Sequence, residues 1–335
     1  MNGQTEFTVI LPVCHGGRFL EKALDSLGAL EFSREDFEVI VAWQDNDHEL
    51  CHKIESGRGN RNYTLKYITV AGSNRSAQLN EAILQANGRI LVFTDDDCIF
   101  PRDWLEKLAQ VFKREANIGV VGGKDRTGTD EPCLNVALDY VLHSFLGTGG
   151  LRRKGSSIGK YYPKLWNMAI PREVALGVAR RSGAGEPQVF DENLDVHEDV
   201  ELTDRVEKSG KNIIYAPEVE VLHARDTTLR SFATRSFNMA RTSRSVGVHR
   251  LPHILLATFT LGLLALAFAS FISRSIGTLF AAVCSAYLII LLISGFGAYI
   301  RTGRAALFFY VPVLLTVQHF SRGLGYLFPW RGRIT

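Results

Sequence analysis

The chain has 335 residues, enough for one large domain or two small ones, and 38 Lys and Arg against 35 Asp and Glu give a formal charge of +3. The charge is divided unevenly: the last 85 residues, from Leu251, hold six Arg and neither Lys nor acid, which leaves residues 1–250 at −3. No lysine-rich face is available for a nucleic-acid duplex, and five scattered cysteines without a CxxC pair exclude a disulfide scaffold and suit a reducing compartment without structural zinc.

Phe7–Val13 is an apolar run preceded by Glu6 and by no basic residue, so it predicts a strand and not a signal peptide. Gly16-Gly17 then opens an amphipathic stretch with Leu20, Ala23, Leu24 and Leu27 at helical spacing. Strands are expected at Phe37–Trp43, Tyr63–Val70 and Arg89–Thr94, and helices at Ala77–Ala86 and Trp104–Phe112. This alternation predicts an α/β fold with a mostly parallel sheet and helices on both faces, whose ligands bind beyond the carboxyl ends of the strands. No strand is followed by GxGxxG or GxxxxGK[ST], so neither a dinucleotide fingerprint nor a P-loop is supported.

Thr94-Asp95-Asp96-Asp97 puts three carboxylates directly after the buried-strand pattern Ile90-Leu91-Val92-Phe93. Like charges this close repel unless a cation or a raised pKa relieves them. The triplet suits a hard divalent ion bound through oxygen, and an acidic turn capping the helix near Pro101 is the plainer use. Farther on, Leu202 and Val206 fall four apart, which puts Asp199 in the first turn of a helix, beside Glu198. The helix dipole there favours an ionised carboxylate, either as a cap or as a general base. Ile213–Tyr215 and Val219–Leu222 predict strand around Pro217, and His223 ends it as a structural residue or a metal ligand.

From Arg230 to Arg250 five arginines precede the apolar tail, and Arg230, Arg241 and Arg244 share a ~60° sector of a helix. Leu229, Ala233, Phe237 and Ala240 lie on the same turn pattern, as in an interfacial helix. Residues 254–273 and 275–300 are uncharged runs of 20 and 26 residues, and 305–321 is a third of 17 interrupted by Pro312. The first two have the length of membrane spans and the third is marginal. Arginine placement puts the N-terminal part on the cytoplasmic face of the cell membrane. The expected organisation is a catalytic domain over 1–225, an Arg-rich interfacial helix over 226–250, and a membrane domain over 251–335 with two to three transmembrane helices.

Taken together, Pro12 after the first strand, Leu79-Asn80 in a helix, FTDDDCIFPRDWL, WNMAIPRE, FDENL with HEDVELTDRVEKSG, and YAPEVEVLH resemble the family 2 glycosyltransferases with a GT-A (Rossmann-like) fold. The resemblance covers about residues 5–245, and the tail is similar to that of membrane-anchored members of the succinoglycan type, which build exopolysaccharides. It implies an inverting enzyme in which Asp199 of the Glu198-Asp199 pair is the catalytic base. It also implies that Asp95 and Asp97 serve nucleotide and metal (Mg²⁺ or Mn²⁺), with His223 as a further metal ligand. Pro12, Asn80, Asp95 and Asp96 would line the nucleotide. At the end of the second strand, where the family has an acidic cluster, Trp43 and Gln44 precede Asp45; Asp45 would take over, with Trp43 stacking on the base.

The implied partners are a nucleotide-sugar, UDP-sugar being the family's usual donor, a polyprenyl-diphosphate-linked saccharide and the membrane, with no nucleic acid. Arg241 and Arg244 suit the acceptor's phosphates or anionic lipid equally. They lack the Trp of the QxxRW motif of processive synthases. A polyprenyl-phosphate glycosyltransferase is the alternative, although its ionised acceptor needs no base. A sugar nucleotidyltransferase would have a Gly-rich, Arg-containing loop where this chain has Pro12-Val13-Cys14-His15-Gly16-Gly17. A nucleotide-sugar-binding scaffold without catalysis would not need Asp95, Asp97 and Asp199.

Overall fold

The structure, a computed structural model, describes residues 5–13, 18–44, 61–70, 74–128, 131–149, 160–181, 185–194, 196–224, 227–246 and 250–328. Asp45 lies outside the described residues, as does the Gly16-Gly17 pair. The chain divides into two compact units, Met1–Arg126 with Tyr162–Ala224, and Thr127–Tyr161 with Arg225–Thr335.

The first unit opens with β1 (Phe7–Pro12), α1 (Leu20–Gly28), β2 (Phe37–Gln44), β3 (Thr64–Val70) and α2 (Arg75–Leu84). It continues through β4 (Ile90–Thr94), β5 (Cys98–Ile99), α3 (Trp104–Arg114) and β6 (Ile118–Arg126). The chain then passes into the second unit as α4 (Cys133–His143) and α5 (Phe145–Thr148). It returns as β7 (Asn167–Pro171), α6 (Arg172–Gly177), β8 (Arg180–Arg181), β9 (Pro187–Gln188), α7 (Glu198–Lys208) and β10 (Asn212–His223). Eight strands form one sheet in the order β3-β2-β1-β4-β7-β6-β10-β5.

Strand alternation builds two cores from one sheet. Phe7, Val9 and Leu11 of β1 face α1 and α3, whose Leu24, Leu27, Trp104 and Leu108 close that side. Ile10, Ile40 and Phe93 point the other way, onto Leu79 and Ile83 of α2 and Leu202 and Val206 of α7. The sheet is thus covered by helices on both faces, as the alternating pattern predicts. Its mixed character is the difference. β1, β2, β3 and β4 are parallel, but β7 pairs antiparallel with β4 and β6. The chain re-enters at the carboxyl end of β4, where Thr94 faces Asn167, so β7 can only run back along it. Pro217 does not divide the last strand either: β10 is continuous, and a register shift against β6 between Ala216 and Glu220 absorbs the proline.

Glu38 ties the parallel half together. It is 2% exposed and accepts from Thr8 Oγ1 at 2.8 Å, from the Asn87 N–H at 2.6 Å and from Lys66 Nζ at 2.7 Å.

The second unit adds α8 (Leu229–Val246), α9 (Arg250–Ala269), α10 (Arg274–Thr302) and α11 (Leu307–Leu327) to α4 and α5. The buried face of α8 is Phe232, Ser236, Ala240 and Ser243, whereas Leu229 is 39% exposed. Among the described residues, two helices are long and apolar enough to cross a membrane, over Leu251–Ala269 with mean hydropathy 2.0 and Arg274–Thr302 with 2.5. Both leave large apolar side chains such as Leu264, Phe268, Ile289, Ile293 and Ile300 exposed. The marginal third segment, α11, instead buries Val311, Leu314, Leu315, Gln318 and Arg322 inside its unit. Gly325 lets it approach the backbone of Phe237 where a Cβ would collide. On α11, His319 bonds the Leu146 carbonyl at 2.9 Å and Arg322 donates to the Gly147 carbonyl at 2.9 Å. These bonds cap carbonyls that α5 cannot satisfy itself, and they bind residues 127–161 to the C-terminal helices.

Burial acts to raise the Glu38 pKa, but the Lys66, Asn87 and Thr8 hydrogen bonds win and hold it low. Its contribution is therefore present at neutral pH and lost as pH falls through the lowered value. Glu38→Ala should cost roughly 1–3 kcal/mol by leaving buried donors unpaired. Thermal unfolding checks this, and the gap to wild type should narrow in acid.

Candidate active site

The site is built where β4 ends. β4 is buried along its whole length, and Asp95, Asp96 and Asp97 follow immediately. The Cys98 N–H donates to the Asp95 carbonyl at 3.2 Å, which tightens the turn. β5 then pairs antiparallel with the end of β10, His223 opposite Cys98, and the Ala224 N–H donates to the Asp97 carbonyl at 2.8 Å. Two segments 126 residues apart thereby meet: His223 Nε2 lies 3.1 Å from Asp97 Oδ2. The Trp166 ring stands against the imidazole at 5.1 Å between centroids.

Asp97, Cys98 and His223 bring one ligand atom each within 4.8 Å of one another. Asp97 Oδ1 lies 3.0 Å from His223 Nε2, and His223 Nδ1 is a buried atom that makes no hydrogen bond. Buried polar atoms left this way favour a further ligand, and carboxylate with imidazole is a donor set that divalent ions accept. The residues fit a cation.

Asp95 pairs with Arg75, at the start of α2. Burial, and then Asp97, raise the Asp95 pKa against the pull of Arg75. Asp96 is pushed up to about 7 by burial and by both neighbouring aspartates.

The second carboxylate pair comes from α7. His197 takes φ 70° immediately before the helix, so the chain turns sharply and Glu198 and Asp199 enter its first turn, each 8% exposed. Asp199 Oδ2 accepts from Lys164 Nζ at 2.9 Å and Oδ1 from the Val200 N–H at 2.8 Å. Burial alone would raise its pKa, but the charge and hydrogen bond of Lys164 hold it low, so Asp199 is ionised. Glu198 is driven to about 7 by burial and by the charge on Asp199. Neighbouring carboxylates with opposed pKa shifts divide a base from a neutral acid.

The remaining expected residues fall as follows. Asn80 is spent on the loop before α7: its Nδ2 donates to the Phe190 carbonyl at 2.9 Å and to Glu192 Oε1 at 2.8 Å, and its Oδ1 accepts from the Phe190 N–H at 2.9 Å. Pro12 is buried at the end of β1. Trp43 does not stack on a base: it is 5% exposed in the core beside Tyr67, because β2 alternation turns it inward with Val39 and Val41. Arg241 and Arg244 belong to the second unit, where Arg244 Nη1 donates to the Tyr326 carbonyl at 3.1 Å and Arg241 lies over the Phe237 ring. Sequence reasoning missed Arg75 and Lys164. Each lies far along the chain from the carboxylate that it meets, and no local pattern marks a lysine for a distant aspartate.

Residues 8–164 match the family described as glycosyl transferase family 2. Among curated proteins, the poly(ribitol-phosphate) beta-N-acetylglucosaminyltransferase TarS of Staphylococcus aureus is 24% identical over 104 residues, 31% of this chain and 18% of TarS. The glycosyltransferase AglE of Haloferax volcanii is 24% identical over 227 residues, 64% of this chain and 66% of AglE. The chain thus spans under a fifth of TarS and about two thirds of AglE. Among solved structures, the mannosyltransferase PcManGT from Pyrobaculum calidifontis, in complex with GDP-Man and Mn²⁺, superposes with a TM-score of 0.63 at 17% identity. That match covers 95% of this chain and 88% of PcManGT, and it identifies the GT-A fold.

Because native Glu198 holds a proton to about pH 7 that the unfolded chain releases near 4.5, this group makes stability fall as pH rises through that window. Glu198→Gln should therefore melt above wild type at about pH 8 and close to it at about pH 5, as read by thermal scans at both values.

Proposed function

We propose that the chain, whose residues 8–164 match glycosyl transferase family 2, is a glycosyltransferase that moves a sugar from a nucleotide-sugar to a hydroxyl of a lipid-linked saccharide, with inversion, in the synthesis of a cell-surface polysaccharide. The observation that carries this reading is Asp199: a buried carboxylate kept ionised by Lys164, in the first turn of α7, within the field of the Asp95–Asp97 turn. A general base needs that protonation state and that fixed orientation.

The acceptor hydroxyl gives its proton to Asp199 as its oxygen attacks the anomeric carbon. The bond from that carbon to the diphosphate oxygen breaks, and its electron pair leaves with the nucleoside diphosphate. One displacement inverts the configuration, so an α-linked donor yields a β-glycoside. Asp95 and Asp96, with Pro12 at the end of β1, form the nucleotide side, Asp45 is proposed to join them from outside the described residues, and Asn80 shapes the loop that enters α7. A divalent ion (Mg²⁺ or Mn²⁺) would be held by Asp97 and His223, with Asp95 alongside. Bound there, it supplies positive charge against the diphosphate as charge builds on it. The GDP-Man and Mn²⁺ bound by PcManGT support a nucleotide-sugar donor and a divalent ion, and UDP is the nucleotide we propose.

The apolar helices α9 and α10 support a membrane location, and the arginines of α8 support a cytoplasmic face for the catalytic domain. Residues 1–225 then form that domain, 226–250 an interfacial helix and 251–335 the anchor. Arg241 and Arg244 engage the acceptor's phosphates or anionic headgroups.

Asp199→Asn keeps the side chain's shape but cannot take the proton, so kcat should fall about 10²–10⁴-fold with donor affinity nearly unchanged. Steady-state kinetics and donor titration check both. Near-normal kcat with intact donor binding would replace the hydroxyl acceptor by a polyprenyl phosphate, which arrives ionised.

Asp97→Asn should weaken donor binding and turnover together, and chelator should abolish wild-type activity. His223→Ala should raise the concentration of Mn²⁺ or Mg²⁺ needed for half-maximal rate. Full activity in excess chelator would remove the metal from the reading.

A further inference from the structure

We propose that Lys164 is the positioning residue of the Asp199 base, its ammonium 2.9 Å from Oδ2 fixing one carboxylate oxygen while the Val200 N–H, 2.8 Å from Oδ1, fixes the other. The proposal rests on the reading of Asp199 as the base. With one donor on each oxygen, the carboxylate plane is set, and each oxygen keeps a second lone pair for an acceptor hydroxyl.

Lys164 is delivered to this position by its own segment. Tyr162 donates to Asp204 Oδ1 at 3.0 Å, farther along α7, and the Asn167 N–H donates to the Lys164 carbonyl at 2.9 Å. The residues before β7 are therefore tied to α7 at two points, Tyr162 to Asp204 and Lys164 to Asp199. The Lys164 side chain is three-quarters buried, with 25% exposed against 11% for Asp199. A pair this sheltered is screened far less than one in open water.

The charges that face Asp199 come from several elements. Lys164 precedes β7, His197 immediately precedes α7 and Glu198 begins it, and Asp95 follows β4, while Arg75 of α2 acts on Glu198. Lys164 gives both the largest opposing charge and a direct hydrogen bond to Asp199.

The chemistry gives the cation two roles. Before transfer it keeps the carboxylate charged in a site where burial favours the neutral acid. After transfer the ammonium faces a neutral acid and has lost its counter-charge, so the proton on Asp199 is destabilised. It is then released once the product leaves, which resets the base.

The test uses the full-length protein in detergent. The donors are UDP-glucose, UDP-N-acetylglucosamine and GDP-mannose, and a membrane lipid extract is the acceptor. Lys164→Met should move the acid limb of kcat/KM up by about 1–3 pH units, the effect of removing an opposite charge at this range. Lys164→Arg should bring the limb back toward wild type. On the same proteins, carbodiimide with glycine ethyl ester modifies protonated carboxyls, and mass spectrometry resolves Asp199 from Glu198. At about pH 5, Asp199 should be labelled roughly tenfold or more faster in Lys164→Met, as each unit of pKa changes the protonated fraction tenfold. If Lys164→Met does not fold, Lys164→Gln carries the same expectation.

An unmoved limb with unmoved labelling overturns the proposal. So does an equal loss of rate at every pH that Lys164→Arg fails to repair, since that marks a brace. Failure of the base reading looks different: Asp199→Asn would keep the wild-type rate while labelling still responded to Lys164→Met, and the proposal would fall with it.

Discussion

Crowded carboxylates at the carboxyl end of β4 are the constraint on which the site depends. Asp95, Asp96, Asp97, Glu198 and Asp199 share one field, and burial penalises the charge on four of them. Repulsion on this scale has three remedies: a proton, a fixed cation or a bound metal. The first two are present among these residues, and a donor set for the third is in place. Asp96 and Glu198 take the first, with pKa values near 7. Arg75 and Lys164 provide the second, to Asp95 and Asp199. Asp97 and His223 are the residues that would take the third. The chemistry follows from which carboxylate receives which remedy, and Asp199 is held ionised despite its burial.

The fold exists to hold these groups against their own repulsion. Glu38 and its partners lock the parallel strands that carry β4. Asn167 does the same for the antiparallel side, with Nδ2 donating to the Lys124 and Val219 carbonyls at 3.0 and 2.9 Å and Oδ1 accepting from Trp104. The short β5 then closes Asp97 onto His223. Glu38 and Asn167 are buried polar groups with their side-chain atoms hydrogen-bonded, which rigidifies a core instead of weakening it.

The second unit solves another problem with the same means. Its segment from residue 227 to the end holds eleven Arg and no acid. Arg322, Arg244 and Arg304 spend guanidinium hydrogen bonds on backbone carbonyls, those of Gly147, Tyr326 and Glu131. Such bonds let arginine enter an apolar helical packing while backbone groups are satisfied. They also explain why residues 127–161, which follow β6 in the chain, pack with the C-terminal helices.

Local pattern was sufficient wherever one element answers to its own side chains. The strand at Ile90–Thr94, the helix start that puts Asp199 in a first turn, the acidic turn between them and the two long apolar helices are all written in spacing and composition, because alternation and helical period are local properties. The family motifs were legible for the same reason: each is a short run. Tertiary structure alone decided the rest. The reversed direction of β7, the inward turn of Trp43, the use of Asn80 on the 190–192 loop and the buried face of α8 depend on what packs opposite. The ion pairs of Arg75 with Asp95 and of Lys164 with Asp199 join residues 20 and 35 apart. A charge finds its partner through space and leaves no period in the chain, so the residues that could be chemical were evident from sequence, and their protonation states were not.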